Sequence, residues 1–155
     1  MNKLNVEYYL RELITKSDQL GFYSFNTLCA EEKKDESLCL KELSKLYEDK
    51  LITYPRVMNE IDCEVPLYYY NKKEDYIKYI LKNFEIGEFE KLINKNKQTN
   101  YFKKNIQDLH HGIICVGFKN EIKELGIYEK IMLRYLLQFI PNRLEYVKIK
   151  KIRNF

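Results

Sequence analysis

The sequence predicts an α+β fold, mostly helical, in which an N-terminal three-helix unit with a hairpin precedes a more basic C-terminal region. Three observations predict it. Apolar residues recur at helical spacing through much of the chain. Two runs of strand formers, 51–57 and 65–70, flank a polar loop, as in a hairpin. The run Ile113-Ile114-Cys115-Val116-Gly117-Phe118 is short, apolar and β-branched, so it reads as a buried strand.

The elements follow in order. Val6, Leu10, Leu13, Ile14 and Ser17 share one face of a helix over about 5–17. Gly21 ends that region, and Phe22-Tyr23-Ser24 has the length of a short strand. Phe25 to Glu32 reads as a short helix with Phe25, Leu28 and Cys29 inward. Asp35 can cap the next helix, because its carboxylate accepts backbone N–H groups one turn ahead. That helix runs to about Lys50, with Leu40, Leu43, Leu46 and Tyr47 inward and Cys39 at the edge. In the hairpin, Pro55 and Pro66 suit edge strands, since proline cannot donate to a ladder.

Beyond residue 71, Ile77, Ile80, Leu81 and Phe84 mark one helix, and Ile86, Phe89, Leu92 and Ile93 another. Asn94 to Asn100 reads as a loop, and Phe102, Ile106 and Leu109 as a third helix. Asn120 to Leu125 has the length of a short helix that Gly126 caps or bends. Ile127 to Ile140, apolar on much of its circumference, is expected to be the most buried helix of this half. Pro141-Asn142 stops it, and Leu144 to Ile152 reads as a last strand. The division is therefore a domain over 1–71 and a basic helical and αβ region over 72–155.

The order helix, short strand, helix, helix, hairpin resembles the winged helix-turn-helix superfamily over about residues 4–71. The resemblance is carried by Leu40-x-x-Leu43-x-x-Leu46-Tyr47-x-x-Lys50-Leu51-Ile52, a leucine-rich third helix running straight into the first wing strand. Lys50 stands where a glycine is common at that exit. The resemblance implies a binding protein whose third helix enters the DNA major groove. The outward face of that helix offers Ser37, Lys41, Ser44 and Lys45.

Charge points elsewhere. Residues 1–70 hold 9 Lys/Arg and 13 Asp/Glu, and residues 71–155 hold 18 and 10, so −4 and +8 make the net +4. The wing carries Glu60, Asp62 and Glu64, with Arg56 the one basic residue over 51–70, and Glu31, Glu32, Asp35 and Glu36 crowd the entry to helix three. Such a surface repels phosphate. The second half is better equipped. Lys119, Lys123, Lys130 and Arg134 fall within about 60° of one another if a single helix carries them. Lys148 and Lys150 share a face of the expected strand, and Lys95, Lys97, Lys103 and Lys104 sit around a loop next to Tyr101. Tyr68, Tyr69 and Tyr70, with Glu60, Asp62 and Glu64, are the candidate protein interface, because exposed tyrosine is a common interface anchor.

Motifs of catalysis are scarce. The five glycines are scattered, and neither G-x-S-x-G nor H-E-x-x-H occurs. His110 and His111 are adjacent, so their rings diverge on a helix and oppose on a strand. Asp108 with Glu121-x-Lys123 matches a D…E-x-K nuclease pattern loosely, but the E-x-K does not lie on the expected strand. Cys29, Cys39, Cys63 and Cys115 form no C-x-x-C pair and read as four reduced thiols without metal. No cofactor, catalytic residue or metal is expected.

No run approaches the roughly 20 apolar residues of a membrane span, and the N-terminus does not read as a signal peptide. A cytoplasmic protein is expected. The abundance of Lys, Asn, Ile and Tyr fits an AT-rich bacterial, phage or mobile-element source. The leading expectation is a non-catalytic adaptor that joins a protein partner to nucleic acid or to another subunit. The alternatives are a dimeric winged-helix DNA-binding regulator and a small enzyme with an unrecognised site.

Overall fold

The computed structural model describes residues 5–55, 63–106 and 110–153. It is an α+β structure, mostly helical, with a two-stranded parallel sheet. The first three helices come where their patterns put them. Helix α1 (Asn5–Lys16) buries Val6, Leu10 and Ile14, one residue per turn. Helix α2 (Phe25–Glu32) starts on a capping box, with Thr27 N–H donating to Ser24 Oγ and Ser24 N–H to Thr27 Oγ1. Helix α3 (Glu36–Glu48) starts on Asp35, which accepts from Leu38 N–H at 2.8 Å.

The exit of α3 is a Schellman turn. Leu51 N–H reaches Leu46 C=O and Lys50 N–H reaches Tyr47 C=O. Lys50 adopts φ 60, the left-handed conformation that glycine takes without cost. Within α3, Leu43 and Cys39 are fully buried, while Leu40 and Leu46 pack at the margin. Tyr47 does not turn inward as expected. It is 43% exposed and meets Tyr54 edge-on.

The described parts of the two runs expected to form a hairpin pair with other segments instead. Among the described residues, 51–53 pair with 114–116: Thr53 N–H donates to Ile114 C=O and Val116 N–H to Leu51 C=O. Phe22 and Cys63 exchange both backbone hydrogen bonds, and Ile113 N–H donates to Tyr23 C=O. Strand β1 (Val65–Pro66) runs parallel to β2 (Phe102–Lys103). Residues Leu67–Tyr69 coil into a 3-10 turn instead of extending the strand. The apolar segment 112–116 thus takes the place beside 51–53 that the second wing strand was expected to fill. It fits because Gly112 carries no Cβ, which would lie 2.7 Å from Phe22 Cβ and 2.9 Å from Cys63 Cβ. Of the expected wing, Glu60 and Asp62 lie outside the described residues.

Helix α4 (Lys73–Asn83) buries Tyr76, Ile77 and Ile80, and a 3-10 segment (Gly87–Leu92) buries Phe89. Phe102 belongs to β2 and not to a third helix of this half. Residues 119–125 form no helix. Helix α5 (Ile127–Leu136), continued by the 3-10 turn Leu137–Phe139, is buried on almost every side. The buried Gln138 donates to Leu20 C=O at 2.7 Å and accepts from Thr99 Oγ1 at 2.6 Å.

The expected last strand is helix α6 (Arg143–Arg153). The signal was present in Asn142-x-x-Glu145, a capping box in which Glu145 N–H donates to Asn142 Oδ1 and Asn142 N–H to Glu145 Oε1. Tyr146 then packs flat on Phe89.

One hydrophobic cluster joins residues from both sides of the expected boundary at 71/72, including Phe22, Leu43, Ile77, Ile114, Met132 and Phe139. The two halves share a core. Cys29 and Cys39, expected as free thiols, form a disulfide between α2 and α3 with Cα atoms 5.9 Å apart; Cys63 and Cys115 are free and buried. Thiol titration in denaturant without reductant should find two groups, and four after reduction. Four groups before reduction would show that the bond does not form.

Candidate functional site

The basic residues singled out in the sequence divide into those spent inside the fold and those left at a surface. Arg134 is buried: its guanidinium lies 3.9 Å from the centre of the Tyr23 ring and donates to Gly21 C=O at 2.7 Å. It stands 3.8 Å from Glu31, which also accepts from the Tyr9 and Tyr23 hydroxyls. Lys130 pairs with Glu32, Lys119 with the buried Glu129 at 3.4 Å, and Lys103 with Glu64 at 3.3 Å. Lys123 is exposed beside Glu121. The stripe of Lys119, Lys123, Lys130 and Arg134 does not exist, because 119–125 is not helical and two of the four side chains are held by carboxylates of α2.

The second expected pair separates too. On α6, Lys148 and Lys150 are two residues apart and point about 200° from each other. Lys148 is exposed, and Lys150 reaches Glu88 at 2.9 Å. Glu88 also accepts from Arg11 at 2.7 Å and from the Tyr146 hydroxyl. These donors, led by Tyr146 and Arg11, lower the Glu88 carboxyl from 4.5 to about 2. A depressed folded value means that its stabilisation is complete above 4.5 and is lost as pH falls from 4.5 towards 2. Glu88→Gln should therefore lower the Tm near neutral pH, and its gap from the parent should close over that acid range. A gap that does not change with pH would show that the carboxylate is not held in this way. Lys95 pairs with Glu74 and Lys97 with Glu145; Lys104 is exposed.

On the outward face of α3, two of the four candidates are engaged. Ser37 donates to Asp35 and Lys45 pairs with Asp49. Ser44 is half-buried. Lys41 and Lys45 line a cavity of about 740 Å³ that is closed on its other side by Glu124, Gly126 and Glu129. Segment 119–129 therefore stands beside the face that a recognition helix presents to DNA.

What remains is a groove that the sequence did not single out. It has a volume of about 560 Å³ and is walled by Tyr68, Tyr69, Tyr76, Tyr79, Val116 and Phe118. Lys72, Lys78 and Lys82 line it together with Asp75, and none of these lysines has a carboxylate partner among the described residues. Tyr68 is 59% exposed, Val116 46% and Phe118 41%. The Lys72 ammonium sits 5.4 Å from the centre of the Tyr68 ring.

Three phenols build this wall. Tyr76 donates to Cys115 C=O, Tyr128 to Gly117 C=O at 2.8 Å, and Tyr79 to Lys119 C=O at 2.8 Å. Burial holds the Tyr76 and Tyr128 hydroxyls protonated, far above the ordinary phenol range, so both remain donors. Segment 115–119 is thereby pinned along α4, and Phe118 stacks on Tyr79 at 4.7 Å and 19° and meets Tyr76 edge-on. Of the expected aromatic interface, Tyr68 is at the rim. Tyr69 C=O accepts from the Tyr135 hydroxyl, and the partly buried Tyr70 stacks on Phe139 of the core.

His110 turns its ring to Tyr54 and His111 to Tyr69, so the two diverge. Asp108 lies outside the described residues. Among the described residues, no three His, Cys, Asp or Glu side chains come together as a metal site, and no helix is long and apolar enough to cross a membrane. Fold and groove together define an α+β protein with an aromatic, lysine-rimmed concavity. Neither a protein-family model nor a curated protein sequence matches the chain.

Proposed function

We propose that this protein is a non-catalytic, nucleic-acid-binding adaptor that uses the groove between α4 and segment 115–119. The observation that carries the reading is the fate of the lysines. Those at 103, 119, 130 and 150 face carboxylates of the same chain, whereas among the described residues Lys72, Lys78 and Lys82, like Lys104 and Lys148, have no ion pair, and these three gather around exposed aromatic rings. Phosphate contacts dominate nucleic-acid affinity, so cations without internal partners are the ones that bind.

The winged-helix reading of residues 4–71 belongs to this proposal. The order of α1, α2 and α3 and the pairing of Phe22 with Cys63 support it; the pairing of 51–53 with 114–116 departs from it. In the adaptor, this acidic half, with Glu64 exposed, would hold a protein partner. A cytosolic location is also part of the reading. The Cys29–Cys39 disulfide argues against it, since cytosolic thiols are kept reduced, and thiol trapping in intact cells decides the matter.

The test is a salt-titrated anisotropy assay with a labelled duplex and a labelled single strand. The triple variant Lys72→Gln, Lys78→Gln, Lys82→Gln should weaken binding and flatten the salt dependence, and Lys41→Gln with Lys45→Gln should matter little. The opposite ranking would favour a regulator that reads DNA through α3. Absence of binding to either probe at low salt would remove nucleic acid from the proposal.

A further inference from the structure

We infer that the groove takes unpaired bases of single-stranded nucleic acid, stacked on Tyr68 and Phe118, with the backbone led along Lys72, Lys78 and Lys82. This rests on the nucleic-acid reading above and names the ligand of the same site. Two features select a single strand over a duplex. The groove offers ring faces, not hydrogen-bonding side chains arrayed on a protruding element. Duplex bases are stacked on one another and leave no π-face for Tyr68 or Phe118, whereas unpaired bases have one each.

The electrostatics agree. Three lysines and one carboxylate, Asp75, line the groove. Lys78 and Lys82 are one turn apart on α4, so both ammonium groups serve the same side of the concavity. Lys72 stands at the N-terminal end of α4, where the helix dipole adds to its attraction for phosphate. The aromatic faces are held ready: Phe118 is locked on Tyr79, and Tyr68 stands edge-on to Tyr69 at 5.2 Å. The Phe118 ring therefore loses little side-chain freedom when a base arrives. An apolar peptide would find the rings as useful but would leave the three ammonium groups without anionic partners.

The experiment uses the full chain with oligothymidylate and oligouridylate of about 12 nucleotides, within the span of known single-strand sites, and a mixed-sequence duplex of the same length. Tyr68 is mostly exposed, so Tyr68→Ala leaves the core intact, and thermal unfolding checks this. We expect the single strands to bind more tightly than the duplex. Tyr68→Ala should weaken them about 5- to 150-fold, and Tyr68→Phe, which keeps the ring, should restore binding. Lys78→Gln and Lys82→Gln should each lower the salt slope by about 0.7. Equal affinity for the duplex, or single-strand binding that Tyr68→Ala leaves unchanged, would overturn the inference while nucleic-acid binding itself stands. Failure of all three probes to bind at low salt would overturn both and leave the groove to a protein partner.

Discussion

Replacing Arg134 by alanine is expected to destabilise the fold by about 3–5 kcal/mol, the usual cost of breaking a buried ion pair. Its side chain is 7% exposed. Burial opposes its charge, yet the neighbouring Tyr23, Glu31 and Tyr9 keep the guanidinium above its ordinary value. The same group covers the Tyr23 ring and satisfies Gly21 C=O, a residue 113 positions away in the chain. Alanine would leave Glu31 with two phenols and no cation, and would open a void along α5. Lysine would not repair this, because a single ammonium cannot reach the carbonyl, the ring and the carboxylate as the planar fork does. Urea unfolding of the parent and the two variants measures it. A loss below about 1 kcal/mol, the range of exposed pairs, would mean that Arg134 lies at the surface after all.

Leu43→Ala should cost about 2–5 kcal/mol. Leu43 is fully buried in α3, where the helix meets α5. Truncation removes transfer free energy and leaves a cavity that two helices and a disulfide at Cys39 prevent from collapsing. Tyr47→Ala, one turn further on, removes a larger side chain that is 43% exposed and should cost about 1 kcal/mol or less. Equilibrium unfolding of the two variants orders them. Equal costs, or a larger one at Tyr47, would place the inward face of α3 where the leucine and tyrosine pattern first suggested.

Local patterns were readable wherever a single segment held both halves of the interaction. Helices α1, α2 and α3 carry their apolar spacing within a dozen residues, α2 and α3 with their caps, and α5 shows its burial by being apolar on much of its circumference. Helix α6 was readable in the same way through Asn142 and Glu145, but its alternating Val147, Lys148, Ile149 and Lys150 imitated a strand. A two-residue alternation is short enough for either period to fit.

The sequence by itself determined helices α1 to α5, the contrast of charge between the halves and the absence of familiar catalytic motifs. Only the tertiary structure decided which strands pair and which cations are available. Segment 112–116 reaches 51–53 across about sixty residues, as the Ile114-to-Thr53 hydrogen bond shows with its separation of 61. Lys130 meets Glu32 across 98. Net charge along a chain cannot say which lysine will find a carboxylate, because that depends on contacts between segments that close only when the whole core forms. For the same reason the groove was invisible: Tyr68, Tyr76, Tyr79 and Phe118 come from three separate segments, and the phenol hydroxyls that align them bond to carbonyls some forty residues away.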